Sequence, residues 1–352
     1  MEITDQTKTL LSEINAGNNN SLVFDAQAIQ NELQADNLTY KGLGIKVLIV
    51  VGGLLGSLFF LGAISVLFSR SDQALVILGV LTIAGAVLID RNNKQLILDT
   101  FCISSYLAGY LMLGIGLGQL IKDDNIVTSL ILAAACLVML ISNGYMFTFF
   151  SVLIGIGCLA AFISINYAYN FIHVLTIVTG GTYTLFNIYE PQFLTAGKGI
   201  NQRYNAWYNA TLLGFTLLLC FMAGKDAGSP YTQYSWISSV IIIAMLLLSL
   251  YNIMADMDIT LRTRVLIFAA TLAITVPVVF APAVCGAILL LVLSWHTKQR
   301  LAQVIAVLTL IYAVGMYYYN LDFTLLAKSG MMFTTGTMFI LAWFILKKQL
   351  QR

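Results

Sequence analysis

The stretch IVTSLILAAACLVMLIS, residues 126–142, contains seventeen consecutive residues without a charged side chain. An α-helix needs about 20 apolar residues to cross the hydrocarbon core of a bilayer, at a rise of about 1.5 Å per residue. A helix is stable in lipid because it pairs its backbone polar groups within itself. This stretch therefore predicts a membrane-spanning helix, and comparable apolar runs recur from Ile45 to Leu346.

The composition of the whole chain agrees with this interpretation. Of its 352 residues, 59% are hydrophobic and 10% are charged, whereas ordinary soluble domains are roughly 45–50% apolar and about 25% charged. The net charge is +2, and the sequence shows no cluster of basic residues that would bind the phosphates of nucleic acid. The predicted fold class is all-α, a polytopic helical membrane protein whose surroundings are the lipid bilayer.

Twelve spans are predicted after a separate N-terminal segment. The segment covers residues 1–43, and the transmembrane helical domain covers residues 44–352. The predicted spans are residues 45–69, 74–89, 95–121, 126–142, 146–164, 171–188, 207–224, 236–254, 265–280, 283–295, 301–319 and 323–346.

The ninth and tenth spans are separated only by the sequence APA at 281–283. A single helix over residues 265–295 would be about 46 Å long, whereas the hydrocarbon core is roughly 30 Å thick. If residues 265–295 form two spans and the N-terminus is cytosolic, fourteen of the 18 Lys and Arg residues fall on the cytosolic side. If they form a single span, only ten do. The positive-inside rule therefore favours a hairpin at Pro282 and two cytosolic termini. Because the tenth span is short, whether residues 283–295 cross completely is left open.

Residues 1–43 differ in composition from the rest of the chain, with two lysines and six acidic residues. Two short amphipathic helices are predicted, the first capped by Asp5 or Thr7 and the second by Asp25. A secretory signal peptide would begin with basic residues and an apolar core. The segment therefore predicts a short cytosolic helical hairpin.

The sequence contains no catalytic motif, and it predicts neither an enzyme nor a cofactor or metal site. The two histidines, His173 and His296, lie far apart in the predicted topology, and the five cysteines lack metal-ligand spacing. His173 is predicted to be an interfacial residue at the outer end of the sixth span. The other polar residues inside the spans are uncharged; most asparagines are interpreted as helix caps, and the lack of carboxylates at mid-depth argues against ion-coupled transport.

Glycines inside the spans predict close approach between helices rather than phosphate binding. They occur as GIGLG at 114–118, GIG at 155–157 and GG at 180–181.

The stretch YYYNLDFTLLAKSG, residues 317–330, is the most polar connection near the end of the chain. Its tyrosines predict an interfacial aromatic belt, Asp322 predicts the N-cap of the last helix, and Lys328 is close enough to the interface to extend towards water. A contact between Lys328 and either Asp322 or an acidic group of a partner is the alternative. The candidate functional or partner-contact residues are Tyr318, Tyr319, Asp322, Thr324, Lys328 and Ser329.

The same region resembles a known family. The pattern Tyr-Tyr-x-x-x-x-x-Thr-Leu-Leu-x-Lys-Ser at residues 318–329 is similar to the C-terminal helix pair of domain-of-unknown-function family 4401, a bacterial inner-membrane family without an assigned activity. The resemblance implies a location in the bacterial inner (cytoplasmic) membrane. It also implies a partner, a membrane-anchored extracytoplasmic protein with a GDYxxLxY motif.

Three functions remain open from the sequence. The first is a non-enzymatic subunit of an envelope complex with an extracytoplasmic partner, which the resemblance favours. The second is a transporter of a neutral or lipid-like solute. The third is an enzyme that acts on a lipid-linked substrate, for which no catalytic residues are found. A continuous polar path at mid-membrane would distinguish the second from the first.

Overall fold

The structure is a computed structural model that describes residues 72–92, 96–142, 144–195, 198–224, 234–255 and 261–320, with single residues at 56, 59, 62, 63, 329, 333 and 337. These residues are helical apart from short connections, and no strand occurs among them. The all-α prediction is confirmed. The predicted N-terminal hairpin at 1–43, the first span and the last span lie outside the described ranges.

Eleven α-helices and one 3₁₀ turn are described. They are α1 (Asp72–Asn92), α2 (Leu96–Leu120), α3 (Asp124–Ile141), α4 (Tyr145–Ile165), α5 (Phe171–Ile188), α6 (Glu190–Thr195), α7 (Lys198–Ala223), α8 (Ser235–Ala255), α9 (Leu261–Thr275), the 3₁₀ turn Val276–Val278, α10 (Pro282–His296) and α11 (Arg300–Asn320).

Within these residues, eight helices are long and apolar enough to cross a membrane. Two shorter apolar segments, Gln73–Ile89 in α1 and Pro282–His296 in α10, accompany them. Multiple apolar helices of this length support a membrane protein. The total of twelve spans stays a prediction, because its first and last members lie outside the described ranges.

Contacts between helix ends divide the bundle into two sides. Asn166, after α4, donates to Asn125 at the start of α3 through Nδ2 and Oδ1, 2.6 Å apart. Arg203 in α7 donates to the carbonyl of Leu140 at the end of α3, 3.1 Å away. The start of α3 and the end of α4 therefore share one side, here the first side, and the end of α3 lies with the beginning of α7 on the second side.

The connection between α9 and α10 returns the chain across the bundle. Arg264 near the start of α9 donates to the carbonyl of Met254 near the end of α8, 3.3 Å away. At the other end of α9, the carbonyl of Val278 accepts from Cys285 Sγ in α10 at 3.5 Å. Pro282, the first residue of α10, has no amide hydrogen and cannot continue the preceding helical pairing. The 15-residue α10 is mostly buried by other helices, so its length need not match the lipid thickness.

We predict that topology reporters fused after Arg264 and after Arg300 lie in the same compartment, and that a reporter after Gly224 lies in the opposite one. The reason is that α9 and α10 together leave and return to the second side. Fusions to alkaline phosphatase and to a fluorescent protein measure the two compartments. Opposite signals from the Arg264 and Arg300 fusions would contradict the return at Pro282.

Four buried apolar clusters lie among the described helices, and the two largest are here called the smaller core and the larger core. The smaller core lies among α1 to α4 and includes Tyr106 and Phe147. The larger core is formed by α5, α7, α8, α10 and α11 around Phe215, Leu219 and Leu289, all of which are fully buried. Helix α4 packs against α7 and connects the two groups. The larger core surrounds the buried face of α5, which is the most polar buried face among the described helices.

Candidate functional site: the polar face of α5

Helix α5 carries its polar side chains on its buried face. We call this set the α5 polar stripe; it consists of His173, Thr176, Thr179, Tyr183, Thr184 and Asn187, all of them buried. Spacings of three and four residues place these side chains on one side of the helix. The opposite face is apolar and exposed, at Phe171, Val174, Val178 and Leu185. The helix is thus polar inside and apolar outside, the reverse of a helix in a water-soluble protein.

The stripe extends along most of the helix. From His173 to Asn187 the rise is about 21 Å, at about 1.5 Å per residue, against a hydrocarbon core of roughly 30 Å. Helices α7 and α8 pack against the stripe and supply further hydroxyl groups. The stripe divides into a group near the first side and a group near the second side.

The first-side group is built around His173. Its Nδ1 lies 3.1 Å from Oγ of Ser238 in α8, and the Ser238 hydroxyl donates to the carbonyl of Ser235 at 2.9 Å. Because a serine has one hydroxyl proton, this arrangement favours the tautomer in which Nδ1–H donates to Ser238. Next to it, the Thr176 hydroxyl lies 3.4 Å from Sδ of Met222 in α7. His173 is the third residue of α5, near the helix end as predicted, and it is buried there against other helices, with 3% of the residue exposed.

The second-side group is a chain of hydrogen bonds through the side chains of Tyr183, Tyr208 and Asn187, here called the relay. The hydroxyl oxygens of Tyr183 and Tyr208 are 3.0 Å apart, and the Tyr208 hydroxyl donates to Oδ1 of Asn187 at 3.3 Å. The Asn187 amide donates to the carbonyl of Tyr183 at 2.7 Å. Asn187 therefore satisfies a carbonyl near the end of its helix, as a capping residue does, and also connects α5 with α7.

Phe215 of α7 lies between the two groups. A Cβ atom at position 180 would come within 2.8 Å of Cε2 of Phe215, closer than side-chain carbons normally approach. Gly180 thus allows the ring to contact the backbone of α5 in the middle of the stripe. Phe215 is fully buried there, at the level of Gly180, which lies between His173 and Tyr183 along α5.

Comparison with known proteins identifies the family to which the chain belongs. The family model described as "Domain of unknown function (DUF4401)" matches residues 43–349. The chain belongs to the DUF4401 family. The resemblance found in the C-terminal sequence is thereby confirmed, and the match includes all helices of both cores. No curated protein and no solved structure matches the DUF4401 chain.

Of the six candidate residues of the C-terminal stretch, the structure describes Tyr318, Tyr319 and Ser329. In the DUF4401 structure, Tyr318 is half-buried near the end of α11 and Tyr319 is 77% exposed. Ser329 is helical and exposed. Asp322, Thr324 and Lys328 lie outside the described residues, so the predicted cap and lysine contact stay predictions.

Among the side chains that the structure describes, no Asp, Glu, Lys or Arg is buried. Among these residues, no group of three or more His, Cys, Asp or Glu side chains could hold a metal ion. The stripe was not recognised from the sequence, although a signal was present: polar residues at three- and four-residue intervals in an otherwise apolar span. That spacing distinguishes a buried polar face from scattered caps at helix ends.

Proposed function

We propose that this DUF4401 protein conducts a small, uncharged, polar solute across the membrane along the α5 polar stripe. One observation carries the proposal: a buried helix face lined by hydroxyl, amide and imidazole groups from one side of the bundle towards the other. Helices in lipid pack well with small apolar side chains, and buried polar residues in a membrane commonly mark a substrate path.

The chemistry of the stripe suits a neutral solute. The threonine hydroxyls of α5 donate to carbonyls of their own helix, as Thr184 does to Gly180 at 2.8 Å, and each oxygen retains a lone pair that can accept. Tyrosine hydroxyls can exchange donor and acceptor roles along the relay. A charged solute would lose its hydration without gaining an ionic partner from these groups.

The proposed function is non-enzymatic. Ser238 and His173 have the residue types of a nucleophile and its base. However, the Ser238 hydroxyl donates to the Ser235 carbonyl, so its proton is directed away from the imidazole, and a base would need to accept that proton. This pairing supports a role in lining the path rather than in attacking a substrate.

We predict that purified protein in liposomes accelerates the equilibration of urea, glycerol or erythritol, measured by stopped-flow light scattering. Tyr208→Phe removes the hydroxyl that joins Tyr183 to Asn187 while keeping the ring. We expect its flux to fall about fivefold, the equivalent of one hydrogen bond of about 1 kcal/mol. Tyr251→Phe is the matched control, because Tyr251 of α8 is 55% exposed; its flux should equal that of the wild type.

Two outcomes would contradict the proposal. One is the same permeability to all three solutes in liposomes with and without the protein. The other is a Tyr208→Phe variant with lower thermal stability but unchanged flux, which would assign the relay to helix packing alone.

A second candidate function is that of a non-enzymatic subunit of an envelope complex. The exposed Tyr319 favours it, since α11 ends on the first side and aromatic residues are enriched in interaction hot spots. In this proposal the protein lies in the bacterial inner membrane with twelve spans and cytosolic termini, and Tyr319 faces a membrane-anchored GDYxxLxY-motif protein. The described basic residues Arg203, Arg264 and Arg300 lie on the second side, which supports its assignment as cytosolic. Affinity purification in a mild detergent tests for such a partner.

A further inference from the structure

A recess of about 330 Å³ lies between α4, α5 and α7, apart from the polar stripe. Helices α4 and α7 approach closely at its inner end, where a Cβ atom on Gly214 would lie 2.5 Å from Cδ1 of Ile156. Towards the first side the small residues Gly157, Ala160 and Ala161 line the recess. The lack of large side chains on this part of α4 leaves the space between the helices.

The lining is almost entirely hydrocarbon. Leu217, Leu218 and Phe221 form the wall on α7, and the one hydroxyl in the lining belongs to Ser164 at the outer end. That hydroxyl donates to the carbonyl of Ala160 at 3.0 Å. A charged or strongly polar group inside the recess would be desolvated without a partner in its lining, so the ligand portion that fits is apolar.

The length of the recess is comparable to that of one leaflet of a bilayer. From the inner end at Ile156 to Ser164 the rise along α4 is about 12 Å, whereas half of the hydrocarbon core is about 15 Å. Its walls belong to Tyr145–Ile165 and Arg203–Ala223, both long and apolar enough to cross a membrane. The outer end, at Ser164, lies two residues before Asn166, which is hydrogen-bonded to Asn125 where α4 ends and α3 begins.

We propose that this recess is a binding site for a single acyl chain of a phospholipid in the first-side leaflet. The acyl chain fills the space between α4 and α7 as far as the Ile156–Gly214 contact, and the headgroup stays beside Asn166. A phospholipid is assigned because the recess is apolar, is comparable in length to one leaflet, and is open to the surroundings of the bundle at the exposed Gly157 and Ala161. The site is independent of the solute path proposed above.

The test uses the full chain in vesicles of phosphatidylethanolamine and phosphatidylglycerol that contain a phospholipid with a diazirine on one acyl chain. After irradiation, mass spectrometry locates the labelled residues. Gly157→Leu fills the recess, since a Cβ atom at Gly157 meets no atom within 4 Å. We expect labelling of the α4 and α7 walls in the wild type and a loss of about tenfold in this variant, because the added side chain displaces several methylene groups.

Gly118→Leu is the matched control, because Gly118 on α2 also has open space around it and lies outside the recess. Its recess labelling should equal that of the wild type. Ala161→Leu narrows the same recess and should reproduce the loss if Gly157→Leu fails to fold. Equal labelling of the recess in Gly157→Leu and wild type, or preferential labelling by a diazirine-bearing isoprenoid lipid, would overturn the assignment.

Discussion

Replacing Phe215 by alanine is expected to raise the flux of the conducted solute about tenfold, equivalent to a barrier lowered by about 1.4 kcal/mol. The fully buried ring lies against Gly180, between the levels of the His173 group and the Tyr183 group along α5. Its removal leaves a space in which the two polar groups can be connected by water or solute. The same change should lower the free energy of unfolding by about 3 kcal/mol, near the smaller values for Phe→Ala, because lipid also solvates an exposed ring.

The control for this prediction is Leu219→Ala, one helical turn further along α7. Leu219 is also fully buried, and it packs on Gly286 of α10. The control should lose stability without a gain in flux. Solute equilibration in proteoliposomes and thermal unfolding in detergent measure the two effects. Equal flux in the Phe215 and Leu219 variants would show that the ring is not a barrier in the path.

Replacing Gly79 by valine is expected to produce the largest loss of stability in the smaller core. A Cβ atom there would lie 2.9 Å from the carbonyl oxygen of Gly109 and 2.9 Å from the amide nitrogen of Leu113. These are backbone atoms of α2, which cannot turn aside as a side chain can. Valine therefore pushes α1 away from α2 along their contact. We expect a loss of about 3 kcal/mol, at the upper end for overpacked sites.

Gly85→Val is the matched control for this substitution. Gly85 lies in the same helix, and a Cβ atom at that position meets nothing within 4 Å. Both variants carry the same change in intrinsic helix propensity, so their difference isolates the contact with α2. Melting temperatures from fluorescence-detected size-exclusion chromatography give the comparison. Equal melting temperatures for the two variants would contradict a close α1–α2 contact in the membrane-embedded protein.

The glycine-containing stretches illustrate how far the sequence allowed packing to be predicted. Close approach was predicted at residues 114–118, 155–157 and 180–181. The structure has such contacts at Gly116, against Val76, and at Gly180, against Phe215, whereas Gly118 and Gly157 have open space around them. A glycine permits a close contact wherever the neighbouring helix happens to lie, and the neighbour's position is a property of the assembled bundle.

The sequence alone determined the helical class, the family and the uncharged character of the interior. The helical class follows from the long apolar runs, because their backbone groups must pair within a helix in lipid. The family and the uncharged interior follow from the residue types, which packing does not change. The hairpin at Pro282 and the lysine contact of the C-terminal stretch were also predicted from sequence, but only the former involves residues that the structure describes.

The tertiary structure decided which polar residues meet. Tyr183 and Tyr208 lie 25 positions apart, and His173 and Ser238 lie 65 apart, so no local spacing could join them. In a water-soluble protein the apolar face of a helix identifies its buried side. In a membrane every face of a span can be apolar, because the surrounding lipid is apolar too. The sequence of a span therefore does not show which face packs against another helix. Shape and hydrogen bonds between helices decide that contact, and they exist only once the helices have packed.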